Sequence, residues 1–431
     1  MIFSTRHTIF KSMALYILKF GGTSVANLAR LEHVAKVVHQ EIINGNKVVV
    51  VVSAMAGITD QMVGYCQALS PHESTPEHDV VASAGEQVTA GLLALALKKI
   101  GLRARSYLAW QIPIHTDNTA TNARILHINP ETILQGLSLG EVPVVAGFQG
   151  LSNEGLVTTI GRGGSDTTAV AMAVALKADR CDIYTDVDGV YTADPKLVPS
   201  ARRQDILGYS EMFEMASSGA KVLHARAVEM AMKHGVRLRV LSSLTDSPLG
   251  TEIVEDKLIV DKANVTSIVH SLHEAKVTLK NLKNQPGVAA KIYTSLGNAN
   301  ILMDMMTQSH TREGCSDMDG MINRNDIERF QSTMLASKEI LNFSDIAIDK
   351  NVAKITVIGI GIGIGIGLRS NMDIPALICR TLANDGINIH MIYSSEIKMS
   401  VAINQQSLQP ALAALHKAFE LDQDTAKKDV A

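Results

Sequence analysis

The chain has 431 residues, which is too long for one ordinary hydrophobic core and predicts two or three domains. Apolar residues make up 46% and charged residues 19%, a composition typical of a soluble α/β protein and unlike that of a disordered or fibrous one. The net charge of −3 excludes a field strong enough to hold nucleic acid or an anionic membrane, so any anion site must be local.

The cysteines and the N-terminal residues indicate in which cellular compartment the protein is expected. The four cysteines lie far apart with no CxxC pair, which argues against a zinc site or a disulfide framework and favours a reducing cytoplasm. No uninterrupted apolar run is long enough to cross a bilayer. Residues 1–13 are predicted to be a disordered tail or an over-long start, because the first twelve are basic and lack the apolar core of a signal peptide.

From Met13 onward, strand-like and helix-like segments alternate. Short apolar runs predict strands at 15–20, 47–53, 142–147, 181–185 and 237–241. Helical patterns lie between them at 27–44, 77–99, 166–178 and 209–234. This alternation predicts an α/β domain over 14–252, with a mainly parallel sheet between helical layers and ligands at the carboxyl ends of its strands.

After about Val260 the pattern changes to two segments of similar layout. Each reads as strand, helix, strand, strand and a final helix, which predicts two copies of one small α+β unit. We assign them to residues 263–345 and 350–425.

The glycine-rich stretch TTIGRGGSDTT, residues 158–168, directly precedes the helical run AVAMAVAL. Glycines permit a close approach of the backbone, and a helix N-terminus presents free N–H groups to an anion. The same sequence also fits an ordinary loop with a Ser or Asp N-cap, so this stretch alone does not decide between an anion-binding turn and a capped loop.

Polar loops also follow the first two strands. The run KFGGTSV turns on two glycines directly after Lys19, and the next strand ends at Ser53 with Thr59 in the following loop. Either loop alone could be a simple turn with a surface lysine. Two such loops at consecutive strand ends outline a pocket.

Two charged residues suggest the kind of ligand. Glu86 lies in an apolar helix, where an acid is unexpected unless it faces solvent or a partner, and Arg162 offers a fork that can bind a carboxylate. Together they would suit the ammonium and carboxylate of an α-amino acid. Neither pattern excludes a simple surface position.

A third constellation is YTDVDGVYTADPK, residues 184–196, followed by Lys221 in the predicted helix 209–234. Its aspartates are either turn formers or groups that orient Mg²⁺ waters or a ribose hydroxyl. The chain has neither a GxxxxGK[ST] motif nor a protein kinase set, so point charges and backbone N–H groups would hold the phosphates. A carboxylate acceptor is already ionised at neutral pH and needs no general base.

The chain carries, in this order, the motifs KFGGTSV, VVSAMAGITD, SAGE, VAGFQG, TTIGRGGSDTTA, YTDVDGVYTADP and GAKVLHARAVE. This series resembles the aspartate kinase family from Met13 to about Gln406. The resemblance implies an amino acid kinase domain followed by two ferredoxin-like ACT domains. It also implies ATP-dependent phosphorylation of the L-aspartate β-carboxylate to 4-phospho-L-aspartate, the entry to lysine, diaminopimelate, methionine and threonine synthesis.

By motif match, the resemblance implies roles for individual residues. Lys19 would stabilise the transferring phosphoryl group, and Asp166 would organise the catalytic centre. The aspartate site would comprise Ser53, Thr59, Glu86, Arg162, Gly163, Gly164 and Ser165. The ATP site would comprise Lys19, Phe20, Gly21, Gly22, Thr185, Asp186, Tyr191, Lys196 and Lys221, with Lys221 on the phosphates. No side chain is assigned as a metal ligand.

The resemblance further implies Mg²⁺ with the ATP, feedback by lysine or threonine through the ACT domains, at least a homodimer, and a cytoplasmic enzyme without nucleic-acid or membrane partners.

The chain departs from the family at VIGIGIGIGIGLRS, residues 357–370, where a Gly-Ile unit is iterated. We interpret it as an extended ACT strand, because strict alternation does not fit a GxGxxG fingerprint. A related kinase for glutamate or another acid, and a ligand-binding protein without turnover, remain as alternatives.

Overall fold

The computed structural model describes residues 13–70, 75–245, 247, 249–259, 265–312, 314–359 and 373–423. The predicted tail up to residue 12 and most of the Gly-Ile repeat lie outside these residues. The chain divides into two compact units, which we call the first and second unit. The first unit holds the residues up to Val190, Arg203–Ala216 and Lys221–Ile259; the second holds Tyr191–Arg202, Ser217–Ala220 and the residues from Val260 onward.

The elements up to residue 259 comprise fourteen strands and eight α-helices among the described residues. The strands are β1 Leu15–Phe20, β2 Lys47–Val52, β3 Ala104–Tyr107, β4 Ile114–Thr116, β5 Ile125–Ile128, β6 Val142–Ala146, β7 Gln149–Leu151, β8 Val157–Thr159, β9 Arg180–Thr185, β10 Val190–Tyr191, β11 Arg203–Gln204, β12 Ile206–Gly208, β13 Leu238–Ser242 and β14 Gly250–Val254. The helices are α1 Leu28–Ile43, α2 Ile58–Leu69, α3 Pro76–Ala82, α4 Ala84–Lys99, α5 Glu131–Ser138, α6 Gly164–Leu176, α7 Tyr209–Ser218 and α8 Ala225–His234.

An eight-stranded sheet in the order β12-β14-β13-β9-β1-β2-β6-β3 forms the centre of the first unit. Strands β9, β1, β2, β6 and β3 run parallel, and β13 also pairs in parallel with β9. The apolar run of β2 is fully buried beyond its first residue, as expected for a strand covered on both faces. The five strands predicted from the sequence are confirmed within one or two residues.

Two long helices predicted in this unit are wrong in the same way. The predicted helix 209–234 ends at Ser218 and begins again at Ala225, because Gly219 has a positive φ of 124° that a helix cannot contain. Lys221 therefore lies in a connection and not in a helix. The predicted helix 77–99 is likewise divided into α3 and α4 at Ser83.

The stretch Pro76–Lys99 has the length and apolar composition of a membrane span, and half of its most apolar window is buried inside the protein. Core helices pass the same test, so this stretch is weak evidence for a membrane. On its buried side, Ala90, Leu93 and Leu97 contribute to the core formed by α1, β1 and β2.

The second unit contains two four-stranded sheets with helices. Its strands are β15 Ser267–Ser271, β16 Glu274–Lys283, β17 Met303–Arg312, β18 Cys315–Asn323, β19 Asp345–Asp349, β20 Val352–Ile358, β21 Ile389–Ser394 and β22 Lys398–Asn404. Its helices are α9 Val288–Asn298, α10 Ile327–Ala336, α11 Lys338–Leu341, α12 Asp373–Asn384 and α13 Leu408–Ala418. The sheet orders are β17-β18-β16-β19 and β15-β20-β22-β21.

The two sheets are nested in sequence, which corrects the predicted division at 263–345 and 350–425. Strand β15 pairs with β20, with Ser267 opposite Ile358, so it belongs to the second sheet. Strand β19 pairs with β16 in the first sheet. The first sheet, from Glu274 to Asp349, is therefore an insertion between β15 and the rest of the second sheet.

A buried lysine joins the two sheets of the second unit. Lys354 on β20 is 3% exposed, and its Nζ lies 2.7 Å from Glu274 Oε1 on β16 and 2.9 Å from Asp304 Oδ2 on β17. The two carboxylates raise the pKa of Lys354, although burial acts in the opposite direction. The ion pairs therefore fix the spacing between the sheets at a position where an unpaired charge would be costly.

Candidate active site

Loops at the carboxyl ends of β1, β2 and β6 surround a cavity of about 270 Å³ together with the N-terminus of α6. The sequence-predicted residues on its wall are Lys19, Gly22, Ser53, Thr59, Glu86, Arg162, Gly163, Gly164, Ser165 and Asp166. Seven further residues complete the wall: Ala54, Met55, Ala56, Gly57, Asp60, Phe148 and Gly161. The cavity thus brings together side chains separated by up to about 150 positions in the sequence.

At one side of this cavity, Lys19 and Asp166 form a nearly buried ion pair. Lys19 Nζ lies 2.5 Å from Asp166 Oδ1, and both residues are 8% exposed. Lys19 is next to last in β1, and Asp166 is in the first turn of α6, so a strand end and a helix start hold the pair. The carboxylate fixes the position of the ammonium while leaving it at the cavity wall.

Glu86 lies on the same wall, in the first turn of α4, and is 3% exposed. Burial raises the pKa of its carboxyl to about 7, although hydrogen bonds from the backbone N–H groups of Ala54 and Glu86 itself act in the opposite direction. Its Oε2 has no hydrogen-bond partner among the described residues. A buried, unpaired acceptor at a cavity wall is suited to a cationic ligand group.

The glycine-rich stretch forms the turn that leads into α6. Gly161 and Gly163 have positive φ of 82° and 69°, and Arg162 lies exposed between them. Gly163 is the residue before α6 and packs directly against His224, where a β-carbon would overlap with that of the histidine. The helix is almost entirely buried, and its first three residues, Gly164, Ser165 and Asp166, line the cavity, where free N–H groups of a helix N-terminus suit an anion.

The residues predicted to bind nucleotide are placed in several environments. Phe20 is fully buried and stacks on Tyr184 with a ring distance of 4.6 Å, so its side chain belongs to the core. A β-carbon on Gly21 would lie 3.5 Å from Lys19 Nζ, and one on Gly22 would lie 2.9 Å from Ala54 O. The two glycines therefore leave space in front of the ammonium and allow the loops after β1 and β2 to meet.

Thr185 ends β9, and its carbonyl accepts hydrogen bonds from the backbone N–H and hydroxyl of Ser243, at 2.8 and 2.9 Å. Asp186 follows it and is exposed, as is Lys221. Tyr191 and Lys196 belong to the second compact unit, unlike the other predicted site residues. The structure thus unites the predicted aspartate site and the Lys19–Asp166 pair in one cavity. Its wall does not include seven of the residues predicted to bind nucleotide: Phe20, Gly21, Thr185, Asp186, Tyr191, Lys196 and Lys221.

One residue beside this cavity was missed by sequence reasoning. His224 directly precedes α8, and its Nδ1 is buried without a hydrogen-bond partner among the described residues. Burial lowers the pKa of its imidazole, Asp166 raises it, and Arg226 and Arg162 lower it further. No usable signal was present in the sequence, because the predicted helix 209–234 includes His224 and the glycine that packs on it is 61 residues earlier in the chain.

The described residues contain no group of three or more His, Cys, Asp or Glu side chains arranged to hold a metal ion. A divalent cation that arrives with a ligand would need only one or two protein carboxylates. Asp186 directly follows β9 and is exposed, and its Oδ1 accepts a hydrogen bond from the Thr185 hydroxyl at 3.2 Å.

Comparisons with known proteins agree with this architecture. Residues 14–242 match the model of the amino acid kinase family, and residues 363–419 match an ACT domain. The chain is 44% identical over 412 residues to an aspartokinase of Pseudomonas aeruginosa, covering 95% of this chain and 98% of the relative. It is 41% identical over 417 residues to an aspartokinase of Bacillus sp. strain MGA3, covering 97% and 100%.

Two solved structures are also similar. Aspartate kinase from Synechocystis is 38% identical, with a TM-score of 0.52 over 94% of this chain and 70% of that one. Aspartokinase III of Escherichia coli, solved with aspartate and ADP, has a TM-score of 0.80 at 23% identity over 94% and 99%, which supports the fold alone. Because the sequence similarity extends over nearly the full length of both chains, this protein belongs to the aspartokinase family.

Proposed function

We propose that this chain transfers the γ-phosphoryl group of ATP to the β-carboxylate of L-aspartate, giving 4-phospho-L-aspartate and ADP. The observation that carries the proposal is the cavity in which the Lys19–Asp166 pair shares one wall with Glu86 and Arg162. Membership of the aspartokinase family supports the same reaction and favours aspartate over glutamate as the acceptor.

Outside the Lys19–Asp166 pair the cavity wall carries three charged side chains, those of Asp60, Glu86 and Arg162, and the last two would bind the acceptor. Arg162 would bind the α-carboxylate of aspartate through two parallel hydrogen bonds, and the unpaired Glu86 Oε2 would accept one from the α-ammonium. Ser53, Thr59 and the backbone of Gly163, Gly164 and Ser165 line the same space. The β-carboxylate, as the remaining charged group, would then extend toward Lys19.

The chemistry requires positioning and charge neutralisation. An oxygen of the ionised β-carboxylate attacks the γ-phosphorus, a new P–O bond forms to that oxygen, and the bond to the bridging oxygen of ADP breaks. No proton has to be removed from the acceptor, so no general base is needed. Lys19 would neutralise charge on the transferring phosphoryl group, and Asp166 would hold Lys19 in place.

The nucleotide would approach over Gly21 and Gly22, where missing side chains leave the Lys19 ammonium accessible. We assign Thr185, Asp186, Tyr191, Lys196 and Lys221 to the nucleotide on motif similarity, with Phe20 contributing only its backbone. Mg²⁺ bound with the phosphates would reduce their negative charge. Bound in this way, Mg²⁺ would keep most of its water and phosphate oxygen ligands and would need few protein ligands.

The proposal extends to regulation and assembly. We propose that the second unit binds lysine, threonine or both and lowers activity, that the enzyme is at least a homodimer in the cytoplasm, and that the two nested sheets are ACT-like domains. The match of residues 363–419 to an ACT domain supports this assignment. Titration of the purified protein with each amino acid would test it, since unchanged activity up to millimolar effector would reject feedback control.

The reaction can be tested by trapping the acyl phosphate with hydroxylamine in the presence of ATP, Mg²⁺ and a panel of acids that includes aspartate, glutamate and malate. We expect aspartyl hydroxamate, with ADP released in equal amount. A K19M variant supplies the blank. Absence of hydroxamate with aspartate while a known aspartokinase reacts under the same conditions would reject the proposal, and a faster reaction with glutamate would reassign the acceptor.

A further inference from the structure

We infer that Asp79 and Arg226 are positioning residues that hold the glycine-rich turn so that Arg162 faces the acceptor carboxylate. This inference rests on the proposed function, in which Arg162 binds the α-carboxylate of aspartate. Neither Asp79 nor Arg226 belongs to the cavity wall. Both act through the hairpin loop 117–124, which joins β4 to β5, and through residues 159 and 160 at the end of β8.

Asp79 is fully buried on α3, and its carboxylate connects two segments that are distant in sequence. Its Oδ1 accepts a hydrogen bond from Thr159 Oγ1 at 2.6 Å. Both of its oxygens accept from the backbone N–H of Thr121, at 3.0 Å each. Among the residues that the structure describes, this carboxylate has no cationic partner at hydrogen-bond distance. Burying such a group is costly, so these bonds are needed to keep it in place.

Thr121 has a positive φ of 63°, which is uncommon for a β-branched residue. The bond from its N–H to Asp79 supports this conformation. Two residues further on, the backbone N–H of Ala123 donates to Thr159 O at 2.9 Å. The hairpin loop is therefore tied to the end of β8 both through Asp79 and directly.

Arg226 holds the next residues of the same two segments. From α8, its Nη1 donates to Asn122 Oδ1 and to Ile160 O, both at 2.8 Å, and its Nη2 donates to Ala123 O at 3.0 Å. One guanidinium thus bridges the hairpin loop and the residue two positions before Arg162. Its planar fork suits three acceptors better than a lysine would.

Gly161 connects the hairpin loop to Arg162 by packing against that loop. A β-carbon on Gly161 would lie 2.8 Å from Asn122 Oδ1 and 3.2 Å from Thr121 O, so the turn packs directly on the hairpin loop. On the other side of Arg162, Gly163 packs against His224. Arg162 is exposed, and the fixed glycines on either side set the direction in which its side chain leaves the backbone.

The matched variants are D79N and D349N. Asp349 is exposed at the end of β19 in the second unit, and its Oδ1 accepts a hydrogen bond from the backbone N–H of Asn351 at 2.8 Å. We expect D79N to raise KM for aspartate about tenfold, the equivalent of ~1.4 kcal/mol, with kcat and KM for ATP changed less than about twofold. D349N should leave all three within about twofold of the wild type.

A double-mutant cycle separates positioning from general loosening of the structure. In an R162A background, D79N should raise KM for aspartate by less than about twofold further, because its effect passes through Arg162. The inference would be overturned if the fold-changes in KM for aspartate caused by D79N and by R162A multiplied in the double variant. It would also be overturned if D79N raised KM for ATP as much as KM for aspartate.

Should D79N not fold, T159V carries the test, because it removes one hydroxyl donor and leaves the carboxylate bonded to Thr121. We expect T159V to raise KM for aspartate and T159S to restore it, and equal values for both would reject the inference. R226K should behave like T159V. Wild-type activity with aspartate is measured first: without it the proposed function fails, whereas normal wild-type activity with unaltered variants rejects only the positioning role.

Discussion

Replacing Glu86 by glutamine should remove a pH dependence of aspartate binding that we expect of the wild-type protein near neutrality. Glu86 is 3% exposed, and burial raises the pKa of its carboxyl to about 7. If the ionised carboxylate binds the substrate ammonium, KM for aspartate should rise about tenfold between about pH 8 and pH 6. At alkaline pH the KM of E86Q for aspartate should be higher than that of the wild type, and it should stay nearly constant between about pH 6 and pH 8.

The same raised pKa has an opposite consequence for stability. The carboxyl has an ordinary pKa of 4.5 and a pKa of about 7 in the folded protein. Its contribution to the free energy of unfolding is therefore fully present below 4.5 and is lost as the pH rises through about 7, a decrease on the order of 3 kcal/mol. Between about pH 6 and pH 7, where the two effects overlap, a rising pH should thus improve substrate binding and lower stability.

The assay is the initial rate at saturating ATP as a function of aspartate across this pH range, together with urea unfolding of both proteins. Burial lowers the pKa of His224, a residue that both proteins contain, so the difference between them isolates Glu86. Glu154 is exposed, and E154Q is the matched control. A wild-type KM that does not change with pH, or an E86Q profile with the wild-type slope, would refute the reasoning.

Three further substitutions test the site and the second unit. K19M should lower kcat by about a hundredfold or more with little change in KM for aspartate, measured by hydroxamate formation, and an unaltered kcat would remove Lys19 from the chemistry. G163A should lower the free energy of unfolding in urea by about 2 kcal/mol or more, since a β-carbon at this positive-φ position would overlap with His224. The control G155A also has a positive φ, but no atom lies near its added β-carbon, so it should lower the free energy of unfolding by about 1 kcal/mol. K354M should destabilise the second unit by about 3 kcal/mol or more, because it leaves two buried carboxylates without their cationic partner. The control K99M breaks an exposed ion pair and should have no measurable effect on stability. Equal effects of the two substitutions would contradict the importance that we assign to the buried ion pairs.

Most of the first unit could be predicted from the sequence because its strands are buried on both faces. The run KVVVVV at 47–52 has no competing pattern, and its burial follows from its composition. The break at Gly219 could not be predicted with the same certainty, since a glycine is tolerated within many helices and only its φ of 124° ends this one. The nesting of β16 to β19 also escaped the sequence pattern, because a strand carries no mark of the sheet that it joins.

The site was predicted where function depends on the residue type itself. A lysine after a buried strand and an acid in an apolar helix are unusual enough to be noticed, and both lie on the cavity wall. Asp79, Arg226 and His224 were not found. Their importance depends on contacts with residues 42 to 104 positions away, and an isolated Asp, Arg or His in a helical segment is ordinary.

The orientation of aspartate in the cavity is best observed in a crystal structure of the chain with L-aspartate, Mg²⁺ and a non-hydrolysable ATP analogue. We predict that the α-carboxylate contacts Arg162, the α-ammonium contacts Glu86 Oε2, and the β-carboxylate lies between Lys19 and the terminal phosphate. Aspartate bound outside this cavity, or bound with its β-carboxylate on Arg162 and its α-carboxylate toward the phosphate, would contradict the proposed reaction.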